Sequence, residues 1–272
     1  IGWRVAEKSM KSDTTHGILV LGSGFVGALA YTFSDSFWFS AVEGEVYALS
    51  SLFTAVIFWL VLKWEENADQ PRADKWLILI AYLMGLSIGV HLLNLLAIPA
   101  IVLVYYFKKY PYSLKGFLTA IIISIIILAF VMYGLIQGLI ILASKFELLF
   151  VNGIGLPYNS GIIFYIILLL GTIVYLIIYS VKKHKRWLNL AILSITMIII
   201  GYLSFAMITI RAVADPPINE GNPSNVFALL SYLDREQYGD RPLFKGQYYN
   251  APIVEVKDGE PKYVPLDGKY EI

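Results

Sequence analysis

The chain contains no cysteine. It can hold no disulfide framework, no thiolate nucleophile and no Cys-ligated zinc, though this leaves the compartment open. Charge is scarce too: charged residues make up 15% of the 272 positions, against 58% hydrophobic ones. Soluble domains average about 25% charged, so the balance points away from a water-exposed surface. The net charge of +1 gives no electrostatic footprint for nucleic acid, and none is expected as a partner. No zinc-ligand spacing, Walker motif, G-x-S-x-G elbow or kinase signature occurs, so no metal and no cofactor is firmly implied. A basic n-region and a cleavage site are also missing, and the chain starts at Ile1 without a methionine, so it reads as an internal piece of a longer protein.

The apolar residues fall in long runs, the mark of membrane spans rather than of a buried core. The runs predict seven spans, at residues 17–33, 45–62, 76–89, 92–107, 116–144, 161–181 and 187–210. The stretch 76–107 needs an argument. As one helix it would be roughly 48 Å long, more than a hydrocarbon core of about 30 Å requires and short for two full spans. The distribution of basic residues decides. If the stretch is a hairpin turning at residues 89–91, then Arg4, Lys8, Lys11, Lys63, Arg72, Lys75, Lys108, Lys109, Lys115, Lys182, Lys183, Lys185 and Arg186 all face one side. Among the short loops only Lys145 faces the other. A single crossing would split them evenly. Run 116–144 is too long to stand upright and is expected to tilt or kink near Gly134, Gln137 and Gly138.

The expected architecture is an all-α polytopic protein of the inner or plasma membrane. It has a cytoplasmic segment (1–16), a transmembrane helical domain (17–211) and an extracytoplasmic piece of mixed structure (212–272). Loops 34–44, 89–91 and 146–160 lie on the outer side with the tail. The tail is rich in Pro, Asn, Asp, Tyr and Gly. It predicts a short helix over 225–234 and short strands at 253–256 and 263–264, joined through Asp258-Gly259.

Several motifs have two readings. Gly22-Ser-Gly-Phe-Val-Gly27 matches the dinucleotide fingerprint G-x-G-x-x-G, but that motif needs an alternating β/α domain around it. Here it reads as small residues that let membrane helices approach closely. The segment from Ser34 to Ala48 sets Asp35, Glu43 and Glu45 beside Phe37, Trp38 and Phe39, between two spans. Ser40-Ala-Val-Glu43 has the spacing of a capping box at the start of the second span, and both glutamates would suit the positive end of that helix. Capping explains Glu45 less well, because an acid at a membrane boundary is costly against lipid and prefers a cavity or partner. The three aromatics suit an interfacial belt or the wall of a groove for lipid or sugar. His91 and Asn94 are polar groups at the hairpin tip. Arg211, at the end of the last span, either snorkels or binds a phosphate with its guanidinium fork.

Taken together, the segment 33–49, Gly85-Leu-Ser-Ile-Gly-Val-His-Leu-Leu-Asn94, Arg211, Asp215-Pro-Pro-Ile-Asn219 and Tyr232-Leu-Asp-Arg-Glu-Gln-Tyr-Gly-Asp-Arg-Pro242 resemble a family of bacterial multi-pass membrane proteins. That family is related to the protein O-mannosyltransferases of the GT-C glycosyltransferase superfamily. The resemblance runs over essentially the whole chain. It implies an inverting glycosyltransferase that takes a sugar from a polyprenyl-phosphate donor and passes it to a Ser or Thr hydroxyl of an exported protein. A carboxylate would serve as general base and cations would hold the donor phosphate. Membrane lipids, the lipid-linked donor and the acceptor protein are the implied partners. The chain departs from the family at one point: the acidic pair expected to be catalytic sits in an Asp-Cys-Gly-Glu-like setting that is absent here. The resemblance therefore places the main base before Ile1. It leaves Asp35, Glu43, Glu45, His91 and Asn94 as site-lining groups, Arg211 as the donor-phosphate cation and Phe37, Trp38 and Phe39 as groove aromatics. Two other readings stand beside it. One is a non-catalytic scaffold whose tail, through residues 232–249, binds a partner. The other is a transporter, disfavoured because Gln137 is nearly the only strongly polar residue within a span.

Overall fold

The computed structural model describes residues 14–239, 245–246, 248, 250–252 and 261–272. Arg4, Lys8 and Lys11 and the predicted strand at 253–256 with its Asp258-Gly259 link lie outside the described residues. Two compact units divide the chain, Ile1–Ala55 and Val56–Ile272.

In the first unit, α1 (Thr14–Thr32) is followed by α2 (Asp35–Val42), with a bend of 59° between them. The predicted outer loop 34–44 is therefore largely helical. The Ser34 hydroxyl donates back to the Tyr31 carbonyl at 2.8 Å instead of capping α2. Gly22, Gly24 and Gly27 all lie within α1, away from any β/α unit. A Cβ on any of them would meet no atom of the described residues within 4 Å.

The second unit begins within α3 (Tyr47–Asn67). It continues through α4 (Asp74–Ile88), a 3-10 turn (Leu92–Leu96) leading into α5 (Ala97–Lys109), and α6 (Leu114–Ala129). A π-helical segment (Phe130–Gln137), α7 (Gly138–Leu148) and a second π-helical segment (Leu149–Gly153) extend α6 without interruption. Then come α8 (Ser160–Lys182), α9 (Arg186–Tyr202), a 3-10 turn (Leu203–Phe205) and α10 (Ala206–Val213). The tail contributes α11 (Val226–Leu233), a 3-10 turn (Glu236–Tyr238) and a hairpin of β1 (Val264–Leu266) and β2 (Lys269–Glu271).

Among the described residues, five helices are long and apolar enough to cross a membrane, or six if the bent α1–α2 pair counts as one span. The protein is an integral membrane protein, with fewer such helices than the seven expected. With the bent pair counted, helix α4 is the shortfall: its 15 residues reach only about 22 Å. The chain does reverse after it, since Trp76 and Leu77 at the start of α4 pack beside Val104 and Tyr105 near the end of α5. The predicted run 116–144 is instead a rod of 40 residues, Leu114–Gly153. At about 1.5 Å per residue it is twice as long as a bilayer core is thick. Its irregular stretch, Phe130–Gln137, is π-helical and holds Gly134 and Gln137, where a tilt or kink was expected.

Lipid tails are as apolar as leucine, so close packing, not exclusion of water, holds such a bundle together. The pair α4–α9 shows how. A Cβ on Gly85 would run into the Ile198 carbonyl, and one on Gly201 would lie 2.5 Å from the Leu86 nitrogen and the Tyr82 carbonyl. Around this contact Leu60, Ile80, Met84, Leu95, Leu135 and Tyr202 form the main core.

Local signals set the tail elements. Asn225 caps α11, its Oδ1 accepting from the Phe227 and Ala228 amides at 3.0 Å each. The predicted helix over 225–234 is present. The strand expected at 263–264 is β1, and it pairs with β2 across Asp267-Gly268. Both turn residues have positive φ, +46° and +83°, the requirement of a tight type I′ hairpin turn.

Candidate functional site

Among the described residues, the acids of the first unit lie on and after one short helix. Asp35 sits in the first turn of α2. Phe37 packs on Tyr31 with ring centroids 4.5 Å apart, and Trp38 stacks on Phe33 at 5.8 Å. Phe39 is 72% exposed. Glu43 follows the last turn of α2, its amide donating to the Phe39 carbonyl at 3.0 Å. The capping box expected at Ser40–Glu43 is not formed: Ser40 donates to Ser36 within α2 at 2.9 Å. Helix α3 starts only at Tyr47, past a Gly44 turn with φ +76°. The glycine breaks the chain between the serine and the helix it was expected to cap. Glu45, immediately before the Val46 residue that leads into α3, lies near the positive end of that helix. Asp35, Glu43 and Glu45 are all exposed.

In the second unit, His91 and Asn94 share the 3-10 turn between α4 and α5. The His91 Nδ1 accepts from the Leu93 amide at 3.2 Å, and its carbonyl accepts from the Asn94 amide at 3.2 Å. Asn94 is 3% exposed. Three irregular segments and the end of α11 meet here. A Cβ on Gly89 would lie 3.0 Å from the Ser204 hydroxyl in the break of the last rod. The Tyr202 hydroxyl donates to the Ile136 carbonyl at 3.3 Å, in the π-helical segment. Tyr232 of α11 packs near Phe205 at 6.4 Å, and just beyond it Asp234 accepts from Gln137 Nε2 at 2.8 Å. Non-helical backbone at such a seam frees polar groups that a regular bundle would consume internally. Arg211 stands apart in the last turn of α10, exposed and with no ion pair among the described residues.

Two features of this region escape sequence reasoning. The first is Asp234. Burial pushes its carboxyl above the usual carboxylate value, Glu236 adds repulsion, and the Gln137 amide partly opposes both. Gln137 therefore engages the tail instead of standing alone within the rod. Its isolation in an apolar run was the available signal. The second is Glu147, 0% exposed. Its Oε1 accepts from the Asn159 amide at 2.6 Å and the Tyr270 hydroxyl at 3.1 Å, and its Oε2 from the Ile162 amide at 3.1 Å. Asn159, with φ +68°, makes no side-chain cap, so a glutamate on α7 satisfies the first amides of α8. Among the described residues no group of three His, Asp or Glu could hold a metal ion.

The bundle of apolar rods, its interrupted helices and the docked tail define an integral membrane protein with polar groups gathered at helix breaks. Residues 2–114 match the family model of the N-terminal domain of the protein O-mannosyl-transferase TMEM260. Over that stretch the chain is similar to that protein O-mannosyl-transferase domain. The matched stretch contains the acids of segment 35–45 together with His91 and Asn94. No curated protein and no solved structure matches the chain.

Proposed function

We propose that the protein is a membrane glycosyltransferase of the GT-C type, passing a sugar from a polyprenyl-phosphate donor to Ser or Thr hydroxyls of exported proteins. The observation that carries this reading is the match of residues 2–114 to a protein O-mannosyl-transferase domain. In this reading Asp35, Glu43 and Glu45 line the reaction site. A hydroxyl acceptor also needs a carboxylate to take its proton as the new bond forms, a role this reading does not assign to these three site-lining acids. The departing phosphate needs a fixed positive charge, and Arg211 of the second unit is the candidate cation. Phe37, Trp38 and Phe39 offer a partly exposed aromatic surface for the polyprenyl chain or the sugar ring. The tail and the breaks at His91 and Asn94 lie on the extracytoplasmic side, where exported acceptors emerge.

The test is transfer of radiolabelled sugar from polyprenyl-phosphate donors to exported protein, in membranes containing the protein or its Glu45→Gln variant. The variant inserts and folds but transfers about 10²-fold less, the scale seen when a positioned electrostatic group is removed. Normal turnover by a folded Glu45→Gln protein refutes the role of Glu45. No transfer by the full-length protein across several donor sugars refutes the enzyme.

A further inference from the structure

Two cavities lie in the second unit, at the end of α4 and α5 away from His91 and Asn94. One, of about 970 Å³, is an apolar groove between α5 and α6, walled by Ile101, Val102, Tyr106, Thr119 and Ile123, with Lys115 at its edge. The other, of about 700 Å³, is polar and carries Arg72, Lys109 and Arg186 against Asp69 and Asp74. Tyr105, Tyr110 and Trp187 line both, so the cavities adjoin along one aromatic wall. The wall is held in place: Tyr105 packs between Trp64 at 5.0 Å and Trp187 at 5.9 Å. The Tyr106 hydroxyl accepts from the Ser113 amide at 2.9 Å, fixing the loop at the mouth of the groove.

The carboxylates here are already engaged. Arg186 grips Asp74 through two nitrogens, at 2.9 and 3.1 Å, and Lys109 binds Asp69 at 2.8 Å with Lys108 at 3.7 Å. Arg72 and Lys115 are exposed and have no ion pair among the described residues. The result is an excess of positive charge beside an apolar channel of the size that ligand pockets have.

We propose that these two cavities together hold one anionic glycerophospholipid, its phosphate among Arg72, Lys109 and Arg186 and an acyl chain in the apolar groove. The charge pattern selects a phosphate-bearing head group. A soluble phosphate would fill only the polar cavity and leave the groove without an occupant. The basic residues of this end mark it as the cytoplasmic side, where anionic glycerophospholipids collect. The lipid thus binds at the opposite membrane face from the proposed sugar transfer, and the site stands independently of that reading.

Native mass spectrometry of the purified protein, titrated with phosphatidylglycerol or phosphatidylcholine of the same chains, tests this. One phosphatidylglycerol is retained, with about tenfold preference over phosphatidylcholine. The double variant Arg72→Gln/Lys115→Gln weakens retention roughly fivefold for each charge removed, since each basic residue near a lipid surface contributes that much. Thr119→Trp, which fills the groove, abolishes the adduct. Equal retention of the two lipids overturns the proposal, as does unchanged binding by the double variant. Displacement by millimolar glycerol 3-phosphate shows that the groove takes no part and overturns it as well. Tighter binding of a polyprenyl phosphate overturns the assignment to a glycerophospholipid.

Discussion

Replacing Tyr270 by Phe removes one hydroxyl and no volume from the contact that ties the tail to the bundle. That hydroxyl is one of three donors to the fully buried Glu147 carboxylate. A buried carboxylate is tolerated only when its lone pairs are filled, and a hydrogen bond to a charged group contributes about 1.5–3 kcal/mol. Taking about 2 kcal/mol, opening of the hairpin becomes roughly 30-fold more frequent. The rest of the contact survives, because Asn152 still accepts from the Tyr270 amide at 2.9 Å and donates to its carbonyl at 2.8 Å. Hydrogen exchange of the 264–271 peptide in detergent reads the effect directly. Acceleration of less than threefold in Tyr270→Phe would refute the reasoning, since Glu147 would then not depend on this donor. The same contact has a pH signature. Burial and the neighbouring Glu147 push the Tyr270 hydroxyl well above its ordinary value of 10.0. Its contribution is full below pH 10 and is lost as the pH rises further, because the unfolded tail ionises first. Protection of the hairpin in the unaltered protein therefore falls above about pH 10, while in Tyr270→Phe that step is absent.

Gly85→Ala forces the Ile198 carbonyl away from α4 and costs about 1–3 kcal/mol, read as a lower midpoint in denaturant-monitored unfolding in micelles. Asp234 has a raised carboxyl pKa, so its protonated form favours the docked tail. Docking of α11 tightens as pH falls toward 4, and Asp234→Asn, which keeps the Gln137 bond, abolishes that dependence in hydrogen exchange of residues 226–233. The absence of native cysteine allows single-cysteine labelling: Lys183→Cys and Glu220→Cys react with impermeant maleimide from opposite sides of the membrane. Labelling of both from one side would overturn the orientation proposed from the basic residues.

Much of the bundle was legible because lipid imposes a simple rule. A span must be apolar throughout and helical to satisfy its own backbone, so runs of hydrophobic residues mark helices whatever they pack against. Turn and cap chemistry was legible for a similar local reason, as with Asn225 before α11 and the reversal after Gly89. The local rule failed at Ser40–Glu43, where correct spacing met a chain that breaks at Gly44 before the next helix begins. It failed again for the rod Leu114–Gly153, because hydropathy marks where a helix enters lipid and not where the helix stops.

What the sequence by itself determined is that this is an integral membrane protein, the number of long apolar helices to within one or two and the reversal at residues 89–91. What only the tertiary structure decided is which polar groups meet. Glu147 lies 12 residues before Asn159 and 123 before Tyr270, and Gln137 lies 97 before Asp234. Gln137 is conspicuous in its apolar run, but Glu147, Asp234 and Tyr270 are unremarkable in their own segments. Their pairing depends on a rod that outruns the bilayer and offers its far end to a tail folding back upon it. Contacts of that range are set by the packing of whole helices, which no local pattern encodes.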